Sequence, residues 1–453
     1  MRVYLTNLGC KLNQAELEAV GRQLHVDGHE VTSSLDRADV QLVNTCTVTH
    51  VAARTSRKIA RRGARRKPGI RTVLTGCYVS GSPEEAAALA GVDLVVPNRD
   101  KDRLLELLYQ RFPQWRPAAT ESDIPEPGIP MADIPVPYVP LAFGNSRALI
   151  KIEDGCNMRC SFCIIPITRG AQTSRPLTEV LQQVDALVEA GHRELVITGV
   201  QISSYRWHEV RLYDLVSAVL ETTDIERVRL TSIAPWDFDQ RLLDLVEEGR
   251  VCRHFHLSLQ SGSARTLGAM RRPYTPDHYR RLASRMRARV PGLAITTDVI
   301  VGFPGESDDD FRASLEFVEE LEFARIHAFP YSRRPGTAAA DLPGQIDPRT
   351  TRERMQQMLQ VATTSQRRFQ RSQLGKTVAV LWESRRDGAW VGTSDNYLRV
   401  EMDSEAPIDA RITDTRIESL TELGVAGRAL GTTGRRRRPV VAERALAPHP
   451  TAV

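Results

Sequence analysis

The chain has 453 residues, 41% of them hydrophobic and 26% charged, with a net charge of +5. That length exceeds one ordinary core and implies two or three domains, and the composition excludes wholesale disorder. No run of about 18 apolar residues is present, and Met1–Gln14 lacks the apolar core and cleavage site of a secretory signal, so no membrane association and a cytoplasmic location are expected. The odd count of seven cysteines points to metal or redox chemistry rather than a disulfide framework.

The first hundred residues alternate short apolar runs with helical patterns. Strands are expected at Val3–Thr6, Val40–Thr45, Val73–Thr75 and Leu94–Pro97. Helices are expected at Glu16–Val26, Ala52–Arg66 and Pro83–Leu89. This alternation predicts an open parallel α/β domain over 1–112. Eight of the 28 residues from Pro113 to Pro140 are proline, too many for a helix or a central strand, and predict an extended linker.

A second βα series follows over 141–373. Its strand candidates are Ala148–Glu153, Glu194–Gly199, Arg227–Ile233, His254–Gln260, Ala294–Gly302 and Ala324–Tyr331, with helical patterns between them. Six βα units with right-handed crossovers curl into a partial (βα)6 barrel, short of the eight that close a standard one. After a charged helix over Arg349–Leu374, short strands separated by turns predict a small all-β barrel over 374–434. A basic tail, 435–453, carries the run Arg435–Arg438.

Cys156, Cys160 and Cys163 lie in Asp154-Gly-Cys-Asn-Met-Arg-Cys-Ser-Phe-Cys163, directly after the first barrel strand. The C-x3-C-x2-C loop can present three thiolates to one metal centre. Structural zinc wants four protein ligands, and no fourth lies nearby, although a distant one is conceivable. Three cysteines on a four-iron cluster leave one iron open to a substrate. Cys10, Cys46 and Cys77 each follow an expected strand, and residues after successive parallel strands gather along one sheet edge. They could converge on a second centre or be buried as small hydrophobes. Cys252 has no partner nearby and reads as a structural thiol.

Three strand ends suit a cofactor pocket. Gly199 allows close backbone approach and Gln201 can hydrogen-bond an amino group. Ser232 could reach a ribose or be an ordinary strand-end serine. Gly302 and Gly305 could admit an adenine, although turns need glycine anyway. No acidic residue occurs between Asp39 and Glu84, where Arg54, Arg57, Lys58, Arg61, Arg62 and Arg65 fall on one expected helix. That helix is either a phosphate-binding face or a solvated one.

The C-x3-C-x2-C loop, with aromatic Phe162 before its last cysteine, resembles that of the radical S-adenosylmethionine superfamily. Cys10-Lys-Leu-Asn-Gln14, Asn44-Thr-Cys-Thr-Val-Thr49 and Thr75-Gly-Cys77 resemble the cysteine motifs of the methylthiotransferase N-terminal domain. The domain order is similar too, ending in a barrel like TRAM, an RNA-binding module. The resemblance implies S-adenosylmethionine and two [4Fe-4S] clusters as cofactors, the clusters held by Cys156, Cys160 and Cys163 and by Cys10, Cys46 and Cys77. It implies no catalytic residue beyond these ligands. It further implies that one cofactor molecule would methylate a sulfur at the auxiliary cluster and a second would yield the deoxyadenosyl radical that activates C2 of an adenosine.

Implied partners are the anticodon loop of a tRNA, an electron donor such as flavodoxin or ferredoxin, and a sulfur donor. Leu8-Gly-Cys-Lys-Leu-Asn-Gln14 and His327-Ala-Phe-Pro-Tyr-Ser-Arg-Arg-Pro-Gly-Thr337 are most similar to the branch acting on N6-threonylcarbamoyladenosine at position 37. Other branches modify isopentenyladenosine or a ribosomal-protein aspartate. An RNA-binding protein with structural clusters is the alternative of another class.

Overall fold

The computed structural model describes residues 1–117 and 146–432. Most of the proline-rich linker, and the basic tail with Arg435–Arg438, lie outside the described residues. The N-terminal sheet has five parallel strands: β1 (Arg2–Asn7), β2 (Glu30–Thr32), β3 (Val40–Thr45), β4 (Arg71–Gly76) and β5 (Leu94–Val96), in the order β2-β1-β3-β4-β5. Every residue of β3 is buried, as a central parallel strand covered on both faces requires. The strand order reverses between β1 and β3, which opens a crevice at their carboxyl ends.

Helix α1 spans Lys11–Val26, starting earlier than the expected Glu16, because Cys10 itself is the extended N-cap residue. Helix α2 spans His50–Arg66 and is capped by the Thr49 hydroxyl, which accepts from the Ala52 N–H. Its small residues Ala53, Ser56, Ala60 and Gly63 are buried, leaving most of its arginines outward. The short β2 and the helix Leu104–Arg111 were not expected from the sequence pattern.

Six parallel strands form the central body: Arg147–Lys151, Glu194–Thr198, Arg227–Leu230, His254–His256, Ala294–Val301 and Arg325–Pro330. They pair as two three-stranded sheets, joined by bridges from Val228 to Val251 and Ile233 to Leu257, so the barrel is partial as expected. The third and fourth strands end at Leu230 and His256, earlier than the sequence suggests, and Ser232 and Gln260 beyond them take positive φ (43° and 70°). Ala148 and Ile150 face the helices, whereas the alternate residue Leu149 packs with Val196 and with Ala15 of α1. The N-terminal unit therefore presses α1 against the inner side of the first barrel strands.

The long helix Pro348–Ser372 leads to a closed five-stranded barrel, Thr377–Arg386, Ala389–Ser394, Arg399–Asp403, Ile412–Leu420 and Val425–Thr432. Its core centres on Trp382, Val380, Val400 and Ile417. The fourth of these strands begins at Ile412, just after Ala410 turns with φ 54°. The third begins at Arg399 because Tyr397 lies in a turn with φ 66°.

This small barrel seals the amino end of the central one. Glu194, at the start of the second central strand, accepts from Arg227 Nε at 2.6 Å and Arg229 Nε at 2.7 Å, all three being buried. The same guanidiniums donate to the carbonyls of Ala379 (2.8 Å), Thr393 (3.1 Å) and Ser394 (2.9 Å). The Tyr397 ring stacks on His254 at 4.2 Å. Among the described residues, no helix is long and apolar enough to cross a membrane.

Candidate functional site

Cys10, Cys46 and Cys77 follow β1, β3 and β4 at their carboxyl ends. The register aligns those ends: Asn7 lies opposite Asn44, and Thr45 opposite Gly76. Gly9 has φ 98°, and a Cβ there would stand 2.8 Å from Cys46 Sγ, so glycine is what lets the Cys10 loop pass the second cysteine. Burial pushes the Cys46 thiol up to about 11; the Val48 N–H opposes that rise, and the neighbouring Cys77 and Cys10 add to it. The Asn98 Nδ2 donates toward Cys77 Sγ at 3.7 Å, and its Oδ1 is buried without a partner.

The second triplet is held by backbone. Cys156 N donates to Gly170 O (3.1 Å), Cys163 N to Cys160 O (3.1 Å), and Ser161 N to Met270 O (3.1 Å). Gly155 has φ 72°, and a Cβ there would fall 2.0 Å from Ala171 O, so glycine lets the loop close. The Met158 N–H points at Cys156 Sγ (3.4 Å). Burial pushes the Cys163 thiol up to about 12, opposed by the Ile165 N–H and assisted by Cys160 and Cys156.

All six thiols are free. Among the described residues, no three His, Cys, Asp or Glu are grouped so as to hold one metal ion. A single zinc needs every sulfur at about 2.3 Å. A four-iron cube takes each thiolate on a different iron, so its ligands stand wider apart. An all-thiol set of three, with N–H groups aimed at sulfurs, has the donor chemistry that such a cube with one corner unligated would take.

Arg169 joins the two triplets. Its side chain is 1% exposed and contacts Glu16 Oε1 (2.9 Å), Asp154 Oδ1 (2.8 Å) and Asn13 Oδ1 (2.6 Å). Asn13 and Glu16 lie on α1, just after Cys10; Asp154 lies just before Cys156. Glu16 is further held by Lys101 (2.5 Å) and Lys151 (3.5 Å). Burial would raise the Glu16 carboxyl, but these three cations hold it well below the usual range. The Asn98 amide also donates to Thr168 O (2.9 Å). The two cysteine-bearing edges are thus pinned together.

Residues 150–318 match the radical SAM superfamily, and residues 2–97 match an uncharacterized protein family, UPF0004. A threonylcarbamoyladenosine tRNA methylthiotransferase, MtaB, of Bacillus subtilis (strain 168) is 32% identical over 90% of this chain and 92% of its own. One so named from Aquifex aeolicus (strain VF5) is 37% identical over 84% and 92%. The chain belongs to the radical S-adenosylmethionine methylthiotransferase family. A tRNA-2-methylthio-N(6)-dimethylallyladenosine synthase of Ruegeria sp. (strain TM1040) is also similar, 33% identical over 92% of this chain and 95% of its own. In fold, the chain resembles the radical S-adenosylmethionine methyltransferase TsrM from Kitasatospora setae, with TM-score 0.56, 17% identity and 75% of each chain covered. The cofactors of this methylthiotransferase are S-adenosylmethionine and two [4Fe-4S] clusters.

Other residues singled out in the methylthiotransferase sequence have mixed fates. Phe162 packs on the cluster of Met270 and Phe303, with Arg272 over its ring at 5.5 Å. Ser232 is the strained strand-end residue, and its carbonyl accepts from Ile202 N (3.1 Å). Gly199 makes room for Glu153, whose Oε1 would lie 2.0 Å from an added Cβ and accepts from Gln201 N at 2.7 Å. Gly302 and Gly305 both have φ 77°; a Cβ on Gly302 would meet Thr351 Oγ1 at 2.7 Å, and Gly305 is exposed.

On α2, Arg57 pairs with Glu85 (3.3 Å) and lies over the Tyr78 ring, whereas Arg54, Lys58, Arg61, Arg62 and Arg65 are exposed.

Glu153 escaped sequence analysis, because only the fold brings Gly199 to it. It is buried, its Oε2 has no partner, and burial pushes its pKa up to about 8 from an ordinary 4.5. Between those values the folded state keeps a proton that the unfolded chain has lost, so stability falls as pH rises across that window. Glu153→Gln is expected to remove a slope worth on the order of 5 kcal/mol between pH 4.5 and 8, read by urea unfolding. An unchanged slope would contradict the assignment.

Proposed function

We propose that this enzyme adds a methylthio group to C2 of N6-threonylcarbamoyladenosine at position 37 of tRNA, beside the anticodon. The observation that carries the chemistry is the Arg169 bridge, which sets two three-thiol edges against each other. In this reading Cys156, Cys160 and Cys163 hold the cluster that binds S-adenosylmethionine, and Cys10, Cys46 and Cys77 hold the auxiliary one. When bound, the first cluster supplies the electron that cleaves the cofactor and the second supplies a site for sulfur. Phe162, Gln201 and Ser232 border the cofactor. The buried sides of the two loops keep water from the reacting groups.

The choice of base rests on the relatives named for threonylcarbamoyladenosine; the similar dimethylallyladenosine synthases make isopentenyladenosine the alternative. A flavodoxin or ferredoxin as electron donor, a separate sulfur donor and a cytoplasmic location complete the proposal. Nucleoside mass spectrometry of tRNA from a strain lacking the gene tests it. Loss of the methylthiolated threonylcarbamoyl nucleoside is expected. Loss of the methylthiolated isopentenyl nucleoside instead would overturn the choice of base.

The exposed face of α2 is assigned to RNA phosphates. Arg54→Ala, Arg61→Ala and Arg65→Ala together are expected to weaken tRNA binding and to flatten the log–log salt dependence by about two to three units, since each phosphate contact releases counterions. An unchanged slope in a binding titration would return α2 to a solvated face and leave RNA capture to the C-terminal barrel.

A further inference from the structure

Arg334 has no role in the arrangement above. It is 6% exposed, and its Nε is buried without a partner. Its two other contacts are long ones to hydroxyls, Thr47 Oγ1 at 3.3 Å and Ser332 Oγ at 3.4 Å. Among the described residues no carboxylate lies within ion-pair distance of it, although its neighbour Arg333 reaches Asp341 at 3.9 Å. By contrast, the buried guanidiniums of Arg169, Arg227, Arg229 and Arg354 each pair with a carboxylate. A buried guanidinium left with only two weak acceptors is costly unless an anion arrives.

Its surroundings are those of a seat for a nucleotide. Thr47 follows Cys46, and the Cys46 thiol is close enough to act electrostatically on Arg334, as is Arg57. The His50 N–H donates to Ser332 Oγ at 3.0 Å, so the 332–334 segment lies along the loop after the second cysteine. Four of the large apolar side chains left exposed flank these same segments: Val48, Val51, Ile167 and Phe329. Ile167 lies beside Gly336, where an added Cβ would stand 3.2 Å from its Cδ1. Apolar surface around a buried, unpaired cation suits a flat base that carries a negative group.

We propose that Arg334 binds an anionic oxygen of the target nucleotide, holding the base beside Cys46. The inference rests on the RNA-modifying reading above. That oxygen belongs either to the carboxylate of the threonylcarbamoyl group or to a phosphate of the RNA chain. A fork of N–H donors matches both.

The test uses the cluster-loaded full chain and three anticodon stem-loop RNAs, carrying threonylcarbamoyladenosine, its methyl ester, or plain adenosine. Arg334→Gln is expected to bind the first RNA about ten- to a hundredfold more weakly, with iron content and cluster absorbance retained. If the loss vanishes on the ester and on adenosine, the carboxylate is the ligand; an equal loss on all three identifies a phosphate. Arg334→Lys, which keeps the charge without the fork, should recover part of the affinity and guards against a folding defect in the glutamine variant. Wild-type affinity of both variants for all three RNAs, with a shifted reduction potential of the auxiliary cluster, would overturn the proposal and make Arg334 a counter-charge to that cluster. A wild-type enzyme that binds through Arg334 yet leaves C2 unmodified would instead sink the functional reading and keep the anion site.

Discussion

Cys160→Ala is expected to abolish reductive cleavage of S-adenosylmethionine, whereas Cys46→Ala should keep that cleavage and lose sulfur delivery to RNA. The two cysteines sit in separately built loops. Cys160 lies in a turn fixed by backbone bonds to Cys163 and to Met270 next door, none of which involves the N-terminal sheet. Cys46 is anchored by its own strand end, its N–H donating to the Ser56 hydroxyl at 3.1 Å. In the proposed assignment, losing either thiolate would remove one of three protein ligands without disturbing the other set. Anaerobic reconstitution of the wild type should give about eight irons, and the Cys156, Cys160, Cys163 triple alanine variant about four. Iron content unchanged in the triple variant, or normal methylthiolation by Cys46→Ala, would refute the division of labour.

Glu194→Ala should destabilise the protein by about 3–5 kcal/mol, because it leaves Arg227 and Arg229 buried without their carboxylate. Burial alone would raise the Glu194 carboxyl, yet the two guanidiniums hold it far below its ordinary value. That contribution is complete above the unfolded value of 4.5 and is lost as pH falls. The wild type should therefore lose stability in acid more steeply than the variant. The same arginines donate to carbonyls of the C-terminal barrel, so the variant should also expose the 373–377 connection to protease. Denaturant unfolding within 1 kcal/mol of wild type would show that the pairing contributes little here.

The parts of the site visible in the sequence were those encoded by neighbours along the chain. The Cys156 loop shows itself by spacing, and Cys10, Cys46 and Cys77 show themselves because each ends a strand of a parallel sheet, where side chains must gather. What stayed hidden depends on contacts between distant segments. Arg169 meets Glu16 across 153 positions, and nothing near either residue marks it. Arg57 reads as a free cation until the fold brings Glu85 to it. The packing of Thr351 against Gly302 is likewise invisible until the long helix folds over it. Arg334 lies inside a stretch that resembles one branch of the family, but its burial without a carboxylate is a property of the fold. The start of α1 is hidden because Lys11, Asn13 and Gln14 break the apolar pattern, although Lys11 lies over Tyr397 of the C-terminal barrel and Asn13 accepts from Arg169.

The most direct test of the central claim is nucleoside mass spectrometry on tRNA bearing threonylcarbamoyladenosine, incubated anaerobically with the reconstituted enzyme, S-adenosylmethionine, a reductant and a sulfide source. The predicted result is a nucleoside heavier by one methylthio group in place of hydrogen at C2, formed together with 5′-deoxyadenosine and absent with Cys46→Ala. Cofactor cleavage by the loaded wild-type enzyme with no methylthiolated nucleoside from threonylcarbamoyl- or isopentenyladenosine tRNA would contradict it.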